Sequence, residues 1–410
     1  MARINTNFSK LAAGYLFPEV ARRTRVWQEK NPGVKVMRLG IGNTTEALPK
    51  ELVDAMKHKL DLLSDRSTYT GYGDEQGDVA LRQALRDFYS RHYGVELEMD
   101  EFFVSDGGKS DSANIQDLFS EDNVVAIQDP AYPVYVDSNV VGGRTGEHDD
   151  STDCYKGFVY LRSTAENGFI PAPPEEKVDL IYLCSPNNPT GAVATKAQLK
   201  AFVDYARKNR AIIIFDAAYS AYIEDPELPR SIYEIEGAKE CAIEINSFSK
   251  LAGFTGVRLG WSIVPHDLVC ENSERDELHR MWNRRQCTFF NGASNIAQAG
   301  GIAALTDEGY RACCELVDYY KGNARIIREG MESLGFTCYG GTDSPYIWTK
   351  GPNGISSWDF FDMILDRCHV VVTPGSGFGP AGEGYVRISA YGHREDVEAA
   401  VASIKENLKI

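Results

Sequence analysis

The stretch Asn246-Ser-Phe-Ser-Lys250-Leu-Ala-Gly-Phe-Thr-Gly256-Val-Arg258-Leu-Gly260 decides how this chain is read. It closes an apolar, β-rich run that begins at Glu240, the pattern of a buried strand that passes into a loop. A lone loop lysine is ordinarily a solvated side chain. Lys250 has different company. Ser247 and Ser249 offer hydroxyl donors on either side of the strand end. Gly253 and Gly256 allow another group to approach closely. Arg258 adds a planar fork of N–H donors that matches phosphate.

Working outward, similar runs occur at residues 124–130 (VVAIQDP), 179–186 (DLIYLCSP), 211–219 (AIIIFDAAY) and 258–265 (RLGWSIVP). Apolar runs bounded by Pro, Asp or Gly read as strands buried on both faces. Between two of them Thr195 and Gln198 form a capping-box pattern, and Leu199, Phe202, Val203 and Ala206 follow at helical spacing. Strand, helix and strand in this order predict an α/β fold with a large, mostly parallel sheet. After about residue 295 helical patterns dominate, with short strands near 345–349 and 385–389. This predicts a smaller α+β domain. The expected division is a large domain over residues 49–294 and a discontinuous small one from an N-terminal arm, 1–48, plus 295–410.

Of four further motifs, three lie at predicted strand ends and one on a predicted strand. Asp216-Ala-Ala-Tyr219 follows AIIIF, and Pro186-Asn-Asn-Pro-Thr-Gly191 follows LIYLCS. Alone, the first is a cap and the second a turn. Ser105-Asp-Gly-Gly108-Lys109-Ser110-Asp111 is a glycine-rich strand-to-helix turn, a geometry that offers backbone N–H groups to an anion. Tyr132, in Asp129-Pro-Ala-Tyr-Pro, adds an aromatic face. Near the C-terminus Arg387, in Val386-Arg-Ile-Ser-Ala390, is suited to a structural ion pair or to bidentate grip of a carboxylate.

Composition narrows the function classes. The 410 residues carry 43 basic and 59 acidic side chains, a net charge of −16, which argues against nucleic acid or anionic membrane as a partner. The nine cysteines are scattered and include no C-x-x-C pair, so neither a disulfide framework nor a zinc site is expected, and no metal is assigned. No apolar stretch reaches the roughly 18 residues of a membrane span. The N-terminus lacks a secretory h-region. The expected compartment is cytoplasmic, or the plastid stroma after removal of a transit peptide.

Together the five motifs resemble fold-type I enzymes that use pyridoxal 5'-phosphate (PLP), the class I/II aminotransferases. The resemblance implies that Lys250 holds the cofactor covalently and that Asp216 sits against its pyridine nitrogen. It implies that Tyr219 and Asn188 (or Asn187, the alternative) contact the phenolate oxygen. Tyr132 would stack on the ring. Gly108, Lys109, Ser247, Ser249 and Arg258 would receive the phosphate end, and Arg387 the substrate α-carboxylate. Lys250, Asp216 and Tyr219 are the expected catalytic residues.

A closer resemblance, to the LL-diaminopimelate aminotransferase family, is carried by Tyr15-Leu-Phe-Pro-Glu, Leu39-Gly-Ile-Gly-Asn-Thr-Thr-Glu46 and Gly71-Tyr-Gly-Asp-Glu-Gln-Gly77, with the Lys109 turn. It runs from Asn7 to about residue 405. That family is homodimeric and works by a ping-pong route. It interconverts LL-diaminopimelate plus 2-oxoglutarate with tetrahydrodipicolinate plus glutamate, a step towards lysine and peptidoglycan. The resemblance implies that Tyr72 reaches the PLP phosphate of the other subunit. Glu75 would hold the substrate's distal ammonium across that interface. Tyr15, Gly42 and Lys109 would serve the distal carboxylate, with Asn291, Tyr132 and Asn188 also contacting substrate. The chain departs from the family at Asn43, commonly Asp, and at Gly108 and Ser110, often Ala and Cys.

Two other readings are weighed against this one. An aspartate or aromatic aminotransferase needs no carboxylate for a distal ammonium, so Glu75 speaks against it. A non-catalytic transcriptional regulator on the same fold carries a DNA-binding domain ahead of the core and is not expected here, with about 45 residues before the core and a net charge of −16.

Overall fold

The computed structural model describes residues 1–12 and 16–408. Seven strands form the main sheet: β1 (Phe102–Ser105), β2 (Val125–Asp129), β3 (Phe158–Arg162), β4 (Leu180–Cys184), β5 (Ile212–Asp216), β6 (Ala242–Ser247) and β7 (Gly260–Ile263). Their order is β1-β7-β6-β5-β4-β2-β3. The pairings from β6 to β3 are parallel, whereas β7 runs antiparallel to both β6 and β1. The sheet is therefore mixed. After Lys250 the chain turns back through a loop and runs alongside β6 as its antiparallel neighbour.

Alternation explains why these strands read as unbroken apolar runs. Ile181, Leu183, Ile213 and Phe215 enter the core on one face of the sheet, and Leu180, Tyr182, Cys184, Ile212 and Ile214 enter the core on the other. Both faces are covered, so side chains of either parity must be apolar. The helix Lys196–Asn209 lies on the first face and begins with the Thr195–Gln198 capping box. Leu199, Phe202, Val203 and Ala206 are all buried beneath it.

A third core unites the chain's two ends. Leu16, Val20, Met37 and Leu39 pack with Ile347, Trp348, Phe360, Val386 and Ile388. Met37–Arg38 pairs in parallel with Val370–Val371, next to a four-stranded sheet that includes Tyr346–Lys350 and Tyr385–Ser389. All nine cysteines are free. Cys184 and Cys241 are buried, and Cys287 is exposed. No helix among the described residues is long and apolar enough to cross a membrane.

One buried acid in the main sheet makes stability depend on pH. Glu244, fully buried on β6, accepts hydrogen bonds from Tyr89 Oη (2.5 Å), Ser231 Oγ (2.6 Å) and the Ile232 N–H (3.0 Å). Burial outweighs these donors and pushes its carboxyl up to about 7. The folded state thus holds this proton more tightly than the unfolded chain does. The contribution is present in full below the ordinary glutamate range and is lost as pH rises through about 7. Thermal melts at pH 6 and pH 8 should show Glu244→Gln relatively more stable at the higher pH, by about 1.4 kcal/mol, because pH 6 lies one unit below the folded value. A variant whose loss is the same at both pH values would refute this assignment.

Candidate active site

The strands deliver their C-terminal ends to one cavity of about 410 Å³, the place where open α/β sheets bind ligands. β6 ends at Ser247, whose Oγ accepts the Ser249 N–H (2.9 Å) and so starts the one-turn helix Phe248–Leu251. That turn aims Lys250 into the cavity. The lysine is 9% exposed, its Nζ donates to the Gly42 carbonyl, and it lies 4.8 Å from the centre of the Tyr391 ring. Burial lowers its ammonium to about 7, helped by the nearby Arg387 and Arg258 and opposed by Asp216. A substantial part of the amine is therefore neutral near pH 7.

Asp216 closes β5 at the other end of the cavity. Its Oδ2 accepts Tyr135 Oη (2.5 Å) and its Oδ1 accepts the Ala218 N–H (2.9 Å). Burial raises its carboxyl, and these two donors pull it back down. Tyr219 Oη lies 2.8 Å from Tyr346 Oη, and burial raises its phenol well above the ordinary range.

The opposite end is built for an anion. Gly107 has φ +134°, and a Cβ there would run into the Arg258 guanidinium. Only glycine lets that fork sit against the turn. The helix Gly108–Asn114 begins at this point, and Ser110 Oγ bonds back to Asp106 Oδ1 (2.6 Å). Ser247, Ser249, Gly108 and Lys109 complete the wall, with Lys109 Nζ 5.7 Å from the centre of the Tyr132 ring. Beneath the turn, burial pushes Asp111 up to about 7, and it accepts Ser105 Oγ (2.6 Å).

Arg387 is 1% exposed and donates to Asn188 Oδ1 (2.6 Å) and the Gly40 carbonyl (2.7 Å). Its Nε has no partner, and its guanidinium lies between the rings of Tyr346 and Phe378, 4.3 and 4.8 Å from their centres. The doubled asparagine divides its work. Asn187 Oδ1 is used by the Thr190 N–H and hydroxyl within the turn, while Asn188 lines the cavity.

The cavity thus gathers Gly42, Gly108, Lys109, Tyr132, Asn188, Asp216, Tyr219, Ser247, Ser249, Lys250, Arg258 and Arg387. Three expected residues are not on its wall. Tyr72 is 87% exposed, Asn291 is exposed and Glu75 is half-buried, with Gly292 packed near the Asp74–Glu75 backbone. Tyr15 lies outside the described residues. Sequence reasoning missed Tyr135, Tyr346, Phe17 and Ile41, which also line the cavity. Tyr135 stood three residues after Tyr132 and was legible as a second aromatic on one helix face. Tyr346 carried no local signal.

The donor set fits PLP. A carboxylate, an amine of lowered pKa and a glycine-rich turn line one cavity, and the glycine at 107 leaves room for the Arg258 guanidinium.

The chain matches the model for class I and II aminotransferases over residues 34–404. It is similar to the L,L-diaminopimelate aminotransferase from Chlamydomonas reinhardtii, with 51% identity over 99% of this chain and 98% of that one, and a TM-score of 0.93. An aromatic aminotransferase from Pyrococcus horikoshii shares 25% identity over 94% and 98% of the two chains, with a TM-score of 0.79. The aspartate aminotransferase from Thermus thermophilus with maleate shares the fold, at 22% identity over 99% and 100% and a TM-score of 0.83. With Lys250, Asp216 and the Gly108 turn on one cavity wall, these matches place the chain in the PLP-dependent class I and II aminotransferase family, on the branch of the LL-diaminopimelate aminotransferases.

Proposed function

We propose that this enzyme moves the amino group reversibly between LL-diaminopimelate and 2-oxoglutarate, giving tetrahydrodipicolinate and glutamate. The observation that carries the reading is the meeting of Lys250, Asp216 and Arg387 in one cavity, on a chain 51% identical to the algal enzyme. PLP, when bound, supplies an aldehyde carbon for the amino group and a pyridinium ring that withdraws electrons from the substrate Cα.

The chain's own groups do the rest. Lys250 Nζ would hold the cofactor and, as a free amine, would take the proton from the substrate Cα and deliver it to the cofactor carbon that carries the amino group away. Its lowered pKa suits both tasks near neutrality. Asp216 keeps the pyridine nitrogen protonated, with Tyr135 and Ala218 holding its carboxylate in place. Asn188 and Tyr219 orient the phenolate oxygen. Gly108, Lys109, Ser247, Ser249 and Arg258 bind the phosphate, and Tyr132 covers the ring. Arg387 takes the α-carboxylate, with Gly42, Lys109 and Tyr15 towards the distal one.

Tyr72 and Glu75 act across a homodimer interface in this reading, and Asn291 contacts substrate. Their place off the wall of this chain's own cavity, with Tyr72 87% exposed, supports it. The division into residues 49–294 and 1–48 plus 295–410 and a cytoplasmic or plastid location belong to the same proposal.

Glu75 tests the substrate. A distal ammonium held out of water needs an anionic partner, and removing one member of such a pair costs roughly 2–5 kcal/mol. Glutamate carries no distal ammonium. Glu75→Gln should lower kcat/KM for LL-diaminopimelate roughly thirtyfold or more, and the glutamate half-reaction far less. Lys109→Ala should weaken both donors, because both carry a distal carboxylate. Equal losses for the two donors in Glu75→Gln would return the enzyme to the aspartate or aromatic type.

A further inference from the structure

Asp129 ends β2 and is 1% exposed, although a buried carboxylate is costly unless fully paired. Its partners lie in two separate parts of the chain. Arg162, at the end of β3, donates to Oδ2. The Ala381 N–H reaches both oxygens, at 3.2 and 3.3 Å. Two residues on, the Ala131 N–H donates to the Phe378 carbonyl at 2.8 Å. Gly379 has φ +128°, and a Cβ there would strike Asp129 Oδ1. The turn 378–382 is therefore seated on the end of β2 by one carboxylate and one backbone bond.

That turn carries Phe378, which is 3% exposed. One contact of the ring is the Arg387 guanidinium at 4.8 Å, and another is Phe17, edge-on at 6.4 Å, itself on the cavity wall. Among the described residues no carboxylate pairs with Arg387. Its hydrogen bonds go to an amide oxygen and a backbone carbonyl, so its charge remains available. Neutral acceptors and the rings of Tyr346 and Phe378 surround it, and the turn that carries Phe378, whose ring also meets Trp348 at 6.3 Å, is the one that contacts Asp129.

We infer that Asp129 is a positioning residue for carboxylate recognition: by seating the 378–382 turn it keeps Phe378 against Arg387, and so keeps the guanidinium aimed at the substrate. The inference rests on the proposed role of Arg387. Asp129 touches no substrate itself. Its loss therefore weakens substrate binding more than turnover, because the reacting groups at Lys250 and Asp216 stay in place.

The test compares Asp129→Ala, Asp129→Asn and Gly379→Ala as holoenzymes, with Arg387→Lys as the reference. Each is measured for KM and kcat with glutamate, and for the Kd of maleate, a dicarboxylate with no amino group to transfer. Asp129→Ala orphans the Ala381 N–H and should raise KM and the maleate Kd roughly tenfold, with kcat within about threefold of the parent. Asp129→Asn keeps an acceptor for that N–H and should recover most of the affinity. Gly379→Ala attacks the same contact from the other side and should resemble Asp129→Ala, which covers the case in which the alanine variant does not fold. A melting temperature that falls while KM and the maleate Kd stay at the parent values overturns the inference and leaves Asp129 a purely structural acid. So does an Asn variant as impaired as the Ala variant. If Arg387→Lys itself leaves KM and the maleate Kd unchanged, the role of Arg387 fails instead.

Discussion

Lys250→Ala is expected to abolish transamination, with a loss of roughly 10⁴-fold or more, since covalent attachment and proton transfer both depend on this amine. Cofactor binding should survive in weakened form. Arg258, Ser247, Ser249 and the Gly108 turn also line the cavity and do not need the lysine amine to hold an anion. The parent protein should be yellow, and borohydride should fix the colour to a peptide that contains Lys250. In the alanine variant the colour should wash out under the same treatment. The lowered pKa adds a readout that does not depend on turnover. Only the neutral amine attacks a carbonyl, so attachment of PLP to the stripped parent protein should speed up about tenfold between pH 6 and pH 8, as Lys250 titrates through about 7. Turnover in the alanine variant, or a rate flat across that range, would contradict the arrangement around Lys250.

Asp216→Asn should fold, bind PLP and turn over poorly. The asparagine can keep the Ala218 N–H and Tyr135 contacts, so the cavity should hold its shape. What it lacks is negative charge. Without it the pyridine nitrogen does not stay protonated at neutral pH, and the ring loses its pull on the Cα electrons. Removal of a preorganised electrostatic contact of this kind costs about 10²–10³-fold in kcat. The expected result is such a fall with normal cofactor content and a shifted absorbance maximum. Near-parental kcat would make Asp216 a cap for the Ala218 turn and nothing more. Tyr135→Phe offers a milder comparison, because it removes one hydrogen bond from the same carboxylate while leaving its charge.

The motifs at strand ends were legible because chemistry and local geometry coincide there. Lys250, Asp216, Asn188 and the Gly107–Gly108 turn each follow a β-rich apolar run. A parallel sheet gathers such ends on one side whatever the details of packing. The two-sided burial of the strands was legible too, because a covered sheet leaves no position for a polar alternation. Glycine at 107 is needed wherever a guanidinium must press against the backbone.

Other features came from contacts between distant residues, which leave no periodicity in the chain. The antiparallel course of β7 depends on its two neighbours, and a run of apolar residues reads the same in either direction. Tyr346 reaches Tyr219 across 127 positions, and Asn188 meets Arg387 across 199. Asp129 looked like part of a turn. Only the folded chain puts its carboxylate under the Ala381 N–H, 252 residues away. The sequence by itself determined the chemistry of the site, since reactive groups must be specific residue types next to strand ends. The tertiary structure alone decided how those groups are aimed, because aim depends on burial, on the loss of competing water and on hydrogen bonds between segments that never adjoin in the chain.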